Sequence, residues 1–445
     1  MNLIARQCQR GTVQLLVPQP RVEGELVPAS LMADRFPYVP WKPPGTREEG
    51  ATPVRDAEMI SVVWTISGLV GLVVLGIAMA GPVGAASTRP DADIVYSARY
   101  YQPGTRPSHY KIWRINSAGS GLVQVTSGST NDHSPIWLAD GKTILFIRER
   151  AKRRTLCVVG ERGGPVTELA ALPGAYTFMV ASVAPDRRSV VLINSEWKVF
   201  LFDVATRQIR ALGLGADTAW SPDSHRLYVS RAVSKSPAEI IDLATGRRLA
   251  LARDFGAATW LDDHTLMAEA VAPYQAGQPQ LVILRADGVT EREIPLSFTW
   301  QDDLSPFADN LFAIPGDADG ILYGRHAGSS SGASQAFYRV SLTTGQATVL
   351  AKGRNLAWSS DHQFFATGDS RGLAPLDGRR HVWVRSLFIV ALGNGEARTI
   401  VQGLVDVGEF DWRPAPASGS GRRLSFAPAE KSLAAGDRWL RGANF

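Results

Sequence analysis

Cysteine is scarce in this chain of 445 residues: there are two, Cys8 and Cys157. Two thiols are too few for a disulfide framework or a zinc cluster, and the apolar segment between them argues against a bridge. Charge of one sign is also missing. Lys and Arg total 47 against 42 Asp and Glu, a net of +5. So mild a balance on so long a chain does not call for nucleic acid as a partner. No phosphate-cradling Gly-Lys-Ser/Thr loop is present. Helical periodicity of convincing length is absent after Asp93, and long apolar runs are absent everywhere except at one place.

That place is 60–80, inside a stretch without charge from Met59 to Thr88. Its length suffices for a helix to cross a hydrocarbon core of roughly 30 Å. Gly68, Gly71 and Gly76 suit a membrane helix better than a soluble one. A signal peptide would sit at the N-terminus, not behind an extended Pro-rich segment. The small residues Gly84-Ala85-Ala86 leave cleavage as an alternative. Lys42, Arg47 and Arg55 before the run balance Arg89, Arg99 and Arg106 after it, so orientation is not set by charge alone. The expected organisation is a low-order segment over 1–57, a transmembrane helix over 58–86, a repeat domain over 87–414 and a basic tail over 415–445.

What the second half does contain is a recurring turn. Trp137-Leu138-Ala139-Asp140-Gly141, Trp220-Ser221-Pro222-Asp223, Trp260-Leu261-Asp262-Asp263 and Trp358-Ser359-Ser360-Asp361 are variants of one phrase. Weaker copies are Val183-Ala184-Pro185-Asp186, Trp300-Gln301-Asp302 and Phe410-Asp411-Trp412. Successive copies lie roughly 40 to 60 residues apart, the period of a propeller blade. Short β-type runs bounded by Gly, Pro, Asp or Ser fill the intervals. The fold class expected is all-β: a seven-bladed β-propeller preceded by one transmembrane helix. The count is six if the irregular Trp300 unit is not a blade. In each unit strand A ends at the Trp, the Asp turn follows, and strands B, C and D complete the sheet. The last A strand, ending at Trp412, has no B strand after it. The first B strand, at Ile94, has no A strand before it. The two halves complete one blade, which closes the ring and leaves no open edge. The tryptophans are expected to pack between blades.

The stretch from Ser134-Pro135-Ile136-Trp137 to Ile147, and Thr218-Ala219-Trp220-Ser221-Pro222-Asp223, resemble the repeat of TolB-type propellers. The same repeat is similar to those in propeller domains of prolyl-oligopeptidase-like enzymes. The resemblance spans 92–414. It implies a protein-binding propeller outside the bacterial cytoplasm. The membrane helix and the lack of a separate N-terminal α/β domain depart from soluble TolB-type proteins.

Candidate chemistry is thin. Gly328-Ser329-Ser330-Ser331-Gly332 matches a nucleophile elbow, but its neighbours read as a linker and not as strand and helix. Only 415–445 follow the repeats, too little for a hydrolase domain. His225, His264 and His362 recur just after the turn aspartates and read as turn residues. Asp317-Ala318-Asp319-Gly320 begins like a calcium loop without its later ligands, so a turn is expected. No cofactor and no metal are expected, and the chain reads as a non-enzyme.

Binding is left to the loops. Alternating strands put A–B and C–D turns on one face and B–C and D–A loops on the other. The long B–C windows are 99–110, 148–154, 231–237, 271–279, 324–335 and 369–381. Basic residues outnumber acids there, Glu149, Asp369 and Asp377 being the acids. The candidate partner-binding residues are Tyr101, Arg106, Arg150, Lys152, Arg153 and Arg154. Arg231, Lys235, Arg379 and Arg380 extend the set. Tyr100 and Tyr110 would add aromatic anchors. An acidic protein surface or an anionic envelope polymer fits such a face. The plain face would look toward the membrane. The function expected is a membrane-anchored, extracytoplasmic scaffold that binds protein in a bacterial envelope assembly. The rivals are a transmembrane sensor using 1–57 and an enzyme using the propeller channel.

Overall fold

The computed structural model describes 93–415, except 104–108, 175, 231–236, 254, 271–279, 298–309, 327–334, 370–371 and 378–379. The apolar run at 60–80 and both terminal segments lie outside the described residues. Among the described residues no helix is long and apolar enough to cross a membrane.

The described chain is all strand. The first sheet begins with β1 (Asp93–Tyr100), β2 (Lys111–Asn116) and β3 (Val123–Gln124). Four-stranded sheets then follow in order: β4 (Asn131–Trp137), β5 (Thr143–Arg150), β6 (Arg153–Gly160), β7 (Thr167–Ala171); β8 (Phe178–Val183), β9 (Ser189–Asn194), β10 (Lys198–Asp203), β11 (Ile209–Leu214); β12 (Asp217–Trp220), β13 (Arg226–Ser230), β14 (Glu239–Asp242), β15 (Arg248–Ala250). Next come β16 (Phe255–Trp260), β17 (Thr265–Ala270), β18 (Gln280–Arg285), β19 (Thr290–Pro295); β20 (Asn310–Ala313), β21 (Gly320–His326), β22 (Gln335–Ser341), β23 (Ala347–Lys352). The seventh sheet has β24 (Arg354–Trp358), β25 (Phe364–Gly368), β28 (Leu387–Ala391) and β29 (Ala397–Val401), with a hairpin, β26 (Gly372–Asp377) and β27 (Arg380–Val384), inserted between β25 and β28. The final strand, β30 (Val405–Trp412), returns to the first sheet in the order β3-β2-β1-β30. Seven four-stranded sheets result. They are blades I to VII, blade I being the seam.

The seam is antiparallel pairing of β1 with β30, including Ile94↔Trp412 and Tyr96↔Phe410. The ring-closing expectation therefore holds. Inner strands of successive blades touch in turn: β30 meets β4 and β24, β4 meets β8, β8 meets β12, and β12 meets β16. Strand A is thus innermost in each blade. Between blades the core is a series of shared apolar layers. Trp137 packs with Val95, Ile112 and Phe146 between blades I and II. Trp412 lies with Ala366, Leu387 and Ile389 between blades I and VII. Trp260 joins Tyr228 and Ile240 between IV and V. Flat, large side chains fill the wedge between two twisted sheets and bury a large apolar area there.

The repeated phrase has a local cause. In blade IV the Ser221 hydroxyl, fully buried, donates to Asp223 at 2.5 Å and accepts from the Arg226 amide at 2.8 Å. Asp223 accepts from the His225 amide at 2.9 Å. Blade VII repeats this with Ser359, Asp361, Phe364 and Gln363. Such side-chain bonds satisfy the amides of the tight turn. The fourth residue after the strand-ending position is left-handed at Gly141, Arg187, Ser224 and His362. His225, His264 and His362 are turn residues, as expected.

Blade VI corrects the reading of its inner strand. Trp300-Gln301-Asp302 lies outside the described residues, and the A strand is β20, ending at Ala313. Its A–B turn is Ile314–Gly320, the segment that begins like a calcium loop. There Asp317 pairs with Arg339, and Asp319 accepts from Ser341 Oγ at 2.8 Å and the Thr343 amide at 2.6 Å. Both carboxylates are spent on the blade itself.

Candidate functional site

The β5–β6 hairpin is the B–C connection of blade II. A two-residue turn, Ala151-Lys152, joins the strands, with Ala151 left-handed (φ 54°). Antiparallel register opposes Glu149 to Arg154 and Arg150 to Arg153. The base of the hairpin is electrostatically clamped. Asp132 on β4 is fully buried and receives two bonds from the Arg148 guanidinium, at 2.8 and 2.9 Å. The bond from Arg148 to Asp132 is the main reason that guanidinium is held above its ordinary pKa. Lys111 stands 3.9 Å from the same carboxylate, and burial pulls its ammonium below its ordinary pKa. Arg154, 9% exposed, pairs with Glu149 at 2.6 Å.

The tip is different. Arg150, Lys152 and Arg153 are all exposed. Arg153 reaches Glu168 at 3.0 Å, an exposed pair of small energetic weight. Arg150 and Lys152 form no ion pair among the described residues. Like charges directly opposed across a hairpin, as at Arg150↔Arg153, cost stability.

Arg154 is therefore inside the set of structural pairs, not on the tip. Of the other candidates, Tyr101 is half-buried and its amide donates to the Leu404 carbonyl at 2.9 Å. Arg380 is exposed at the β26–β27 tip and pairs with Asp377 at 2.6 Å. Arg106, Arg231, Lys235 and Arg379 lie outside the described residues. Tyr100 and Tyr110 turn into blade I. The Tyr100 hydroxyl meets that of Tyr96 at 2.8 Å and its ring packs on Trp113, centroids 4.5 Å apart. Tyr110 donates to buried Asp406, with the Arg99 guanidinium 4.5 Å over its ring.

A second polar cluster lies on the inner strands at the seam, in a region without a recognisable motif. β30 bulges opposite Tyr96–Ala98, and β4 bulges between His133 and Ile136. Bulges re-aim side chains. Here they bring Glu409 of β30 against Ser97, His133 and Ser134. Glu409 accepts from Ser97 Oγ at 2.9 Å and from the Ser134 amide at 3.2 Å. Its own amide donates to Ser97 Oγ at 3.1 Å. Burial pushes the Glu409 carboxyl up, but nearby His133 and the donated bonds outweigh this and hold it below its ordinary value. His133 Nδ1 lies 3.2 Å from Ser134 Oγ. Serine, histidine and a carboxylate are thus together. The carboxylate, however, binds the serine's amide, and Ser134 is 1% exposed at φ 51°. The arrangement holds β4 to β30; it does not present a nucleophile.

On the plain face a third cluster closes the seam. Arg413 pairs with Asp93 at 2.7 Å and with Glu161, and its guanidinium lies 4.4 Å over the Trp137 ring. Arg114 pairs with Asp93 at 2.8 Å. Cys157 is buried among apolar side chains, which push its thiol up to about 11. Such a thiol is inert at neutral pH. The Gly328–Gly332 segment lies outside the described residues. No group of three or more His, Cys, Asp or Glu among the described residues gathers to hold a metal.

No family model matches the chain, and no curated protein matches it. Solved structures do. An oligogalacturonate lyase in complex with manganese shares 14% identity over 69% of this chain and 85% of its own, with a TM-score of 0.46. An oligogalacturonate lyase from Vibrio parahaemolyticus shares 13% over 70% and 86%, TM-score 0.47. TolB from Acinetobacter baumannii shares 16% over 73% and 67%, TM-score 0.40. These likenesses are distant, and the propeller assignment rests on the strand pairing itself.

Proposed function

We propose that this chain is a membrane-anchored recognition scaffold, with its propeller displayed outside the cytoplasm and its B–C face turned to an acidic partner. The observation that carries the reading is the blade II tip. Two arginines face each other in register, with an exposed lysine between them, on a base locked by Asp132 and Glu149. Arg153 is already paired with Glu168, but Arg150 and Lys152 form no ion pair among the described residues, so a rigid support presents cationic charge that an anionic partner would neutralise. A rigid scaffold with display loops is the usual architecture of recognition. The apolar run at 60–80 supports the anchor, and a protein in an envelope assembly is the partner this reading favours.

The test is charge reversal at the tip. Arg150→Glu with Lys152→Glu, in the full chain, should weaken capture of the co-purifying partner, and the loss should shrink as salt rises. Equal capture by both proteins at all salt concentrations overturns the reading.

The channel-enzyme reading draws on the His133–Ser134–Glu409 arrangement. Burial of Ser134 argues against its hydroxyl as the attacking group.

A further inference from the structure

The hairpin in blade VII is two-faced. Its register opposes Leu373 to Trp383 and Pro375 to His381. These four side chains are exposed, Leu373 by 58% and Trp383 by 45%. The alternate positions, Ala374, Leu376, Val382 and Val384, turn inward. This is the period-two pattern of a sheet with one covered face and one solvent-exposed face. An exposed face carrying Leu and Trp is a poor choice for solvent.

The hairpin is also held firmly. Its exit residue Arg385 bridges in parallel to Asp406 on β30, the innermost strand of blade I. The Arg385 amide donates to Val405 at 2.9 Å, and the Val407 amide donates back to Arg385 at 3.2 Å. At the entrance, Asp369 accepts from the Ser386 amide at 2.7 Å. A two-stranded hairpin alone is marginal; this one is stitched at its root to the ring. It is a B–C insertion, so it stands on the same face as the blade II tip, with blade I between them.

We propose that the exposed face of the β26–β27 hairpin is the anchor point for an acidic protein segment, which seats an apolar or aromatic side chain on the Leu373–Trp383 pair. The inference rests on the recognition reading above and names the partner's chemistry. Charge supplies the first argument. Along 369–385 the chain carries Arg371, Arg379, Arg380, Arg385 and His381 against Asp369 and Asp377, an excess of basic residues that remains after Arg380 pairs with Asp377. The position of the apolar pair supplies the second. Leu373↔Trp383 lies one step from the root pair Gly372↔Val384, and the Asp377–Arg380 ion pair lies farther out, at the tip. A lipid surface would have to take in that ion pair before it reached the tryptophan, at high cost. A polypeptide laid across the flank reaches Leu373 and Trp383 directly. Tryptophan with neighbouring arginine is the composition of an interface hot spot.

Phage-displayed random peptides selected on the full chain in detergent test this. The expected winners place Asp or Glu within a few residues of an aliphatic or aromatic residue. Leu373→Ser and Trp383→Ser should each weaken the winning peptides by about tenfold or more, while Trp383→Phe restores most of the binding and thermal unfolding is unchanged. Winners without acids, or winners indifferent to both serine variants, overturn the proposal. So does binding of phosphatidylglycerol vesicles that the same serine substitutions abolish. If Arg150→Glu with Lys152→Glu weakens capture and the hairpin variants do not, this inference fails and the tip reading stands. The reverse pattern keeps the hairpin and removes the tip.

Discussion

Arg187 of blade III donates to Asp411 of blade I across the inner strand of blade II, at 2.5 and 3.2 Å. The same guanidinium donates to the Trp137 carbonyl at 2.9 Å, and Asp411 accepts from the Trp137 amide at 2.8 Å. One ion pair thereby ties three blades. Asp411→Ala strands a largely covered guanidinium and a main-chain amide together, for a loss of about 3 kcal/mol. Asp411→Asn keeps a neutral acceptor and should lose clearly less. Equilibrium denaturation in urea checks both; equal losses would show that charge is not what matters there.

Gly408 is the bulge position of β30, and a Cβ on it would meet Ser97 Oγ at 2.3 Å. Ser97 cannot turn away freely, because its hydroxyl holds Glu409. Gly408→Ala should cost about 1–3 kcal/mol. In a Ser97→Ala background the added cost should largely vanish, a coupling that a double-mutant cycle reads.

Glu409 has a folded-state pKa below its ordinary value of 4.5. Its ionised form therefore stabilises the fold above that value, and this contribution is lost as pH falls through the lower, folded value. Stability of the native chain minus that of Glu409→Gln should be largest near neutrality and shrink on acidification below 4.5. A difference constant with pH would mean that Glu409 does not titrate with folding.

Ser221 and Ser359 do the same work in blades IV and VII. Each alanine variant leaves a turn amide without its acceptor and should lose about 1–3 kcal/mol. The two losses should add, because the turns share no partner. Thermal unfolding of the single and double variants measures this.

Much of the ring was legible because its punctuation is chemical. A Trp ends the inner strand of blades I, II, IV, V and VII, and a Ser-x-Asp binds the next turn in blades IV and VII. Blade VI hides its inner strand because β20 ends in Phe312-Ala313 and has no Trp; its turn is Asp317-Ala318-Asp319-Gly320, whose acids resemble the start of a metal loop. The blade VII insertion was written in the alternation of Leu373-Ala374-Pro375-Leu376 and His381-Val382-Trp383-Val384 around Asp377-Gly378, a hairpin signal by itself. Blade periodicity hides that signal, because it assigns the whole of 369–381 to a B–C connection. The Glu409 cluster was hidden for a different reason. Residues 97, 133–134 and 409 meet only through two bulges and a closed seam; Gly408 and Pro135 mark the bulges, but they do not say which side chains the bulges bring together. The basic tip was visible as composition, but the sorting of Arg154 to Glu149 and Arg150 to solvent depends on register.

The β1–β30 pairing also sets an order of events during synthesis. The oldest part of the ring must wait, one flank bare, while six further sheets are made. Only when the eight residues of β30, Val405–Trp412, have left the ribosome can that flank be covered. A nascent chain stalled anywhere before this point is an unfinished circle with an adhesive rim, so the cell's folding helpers should meet this protein late and at its amino-proximal sheet.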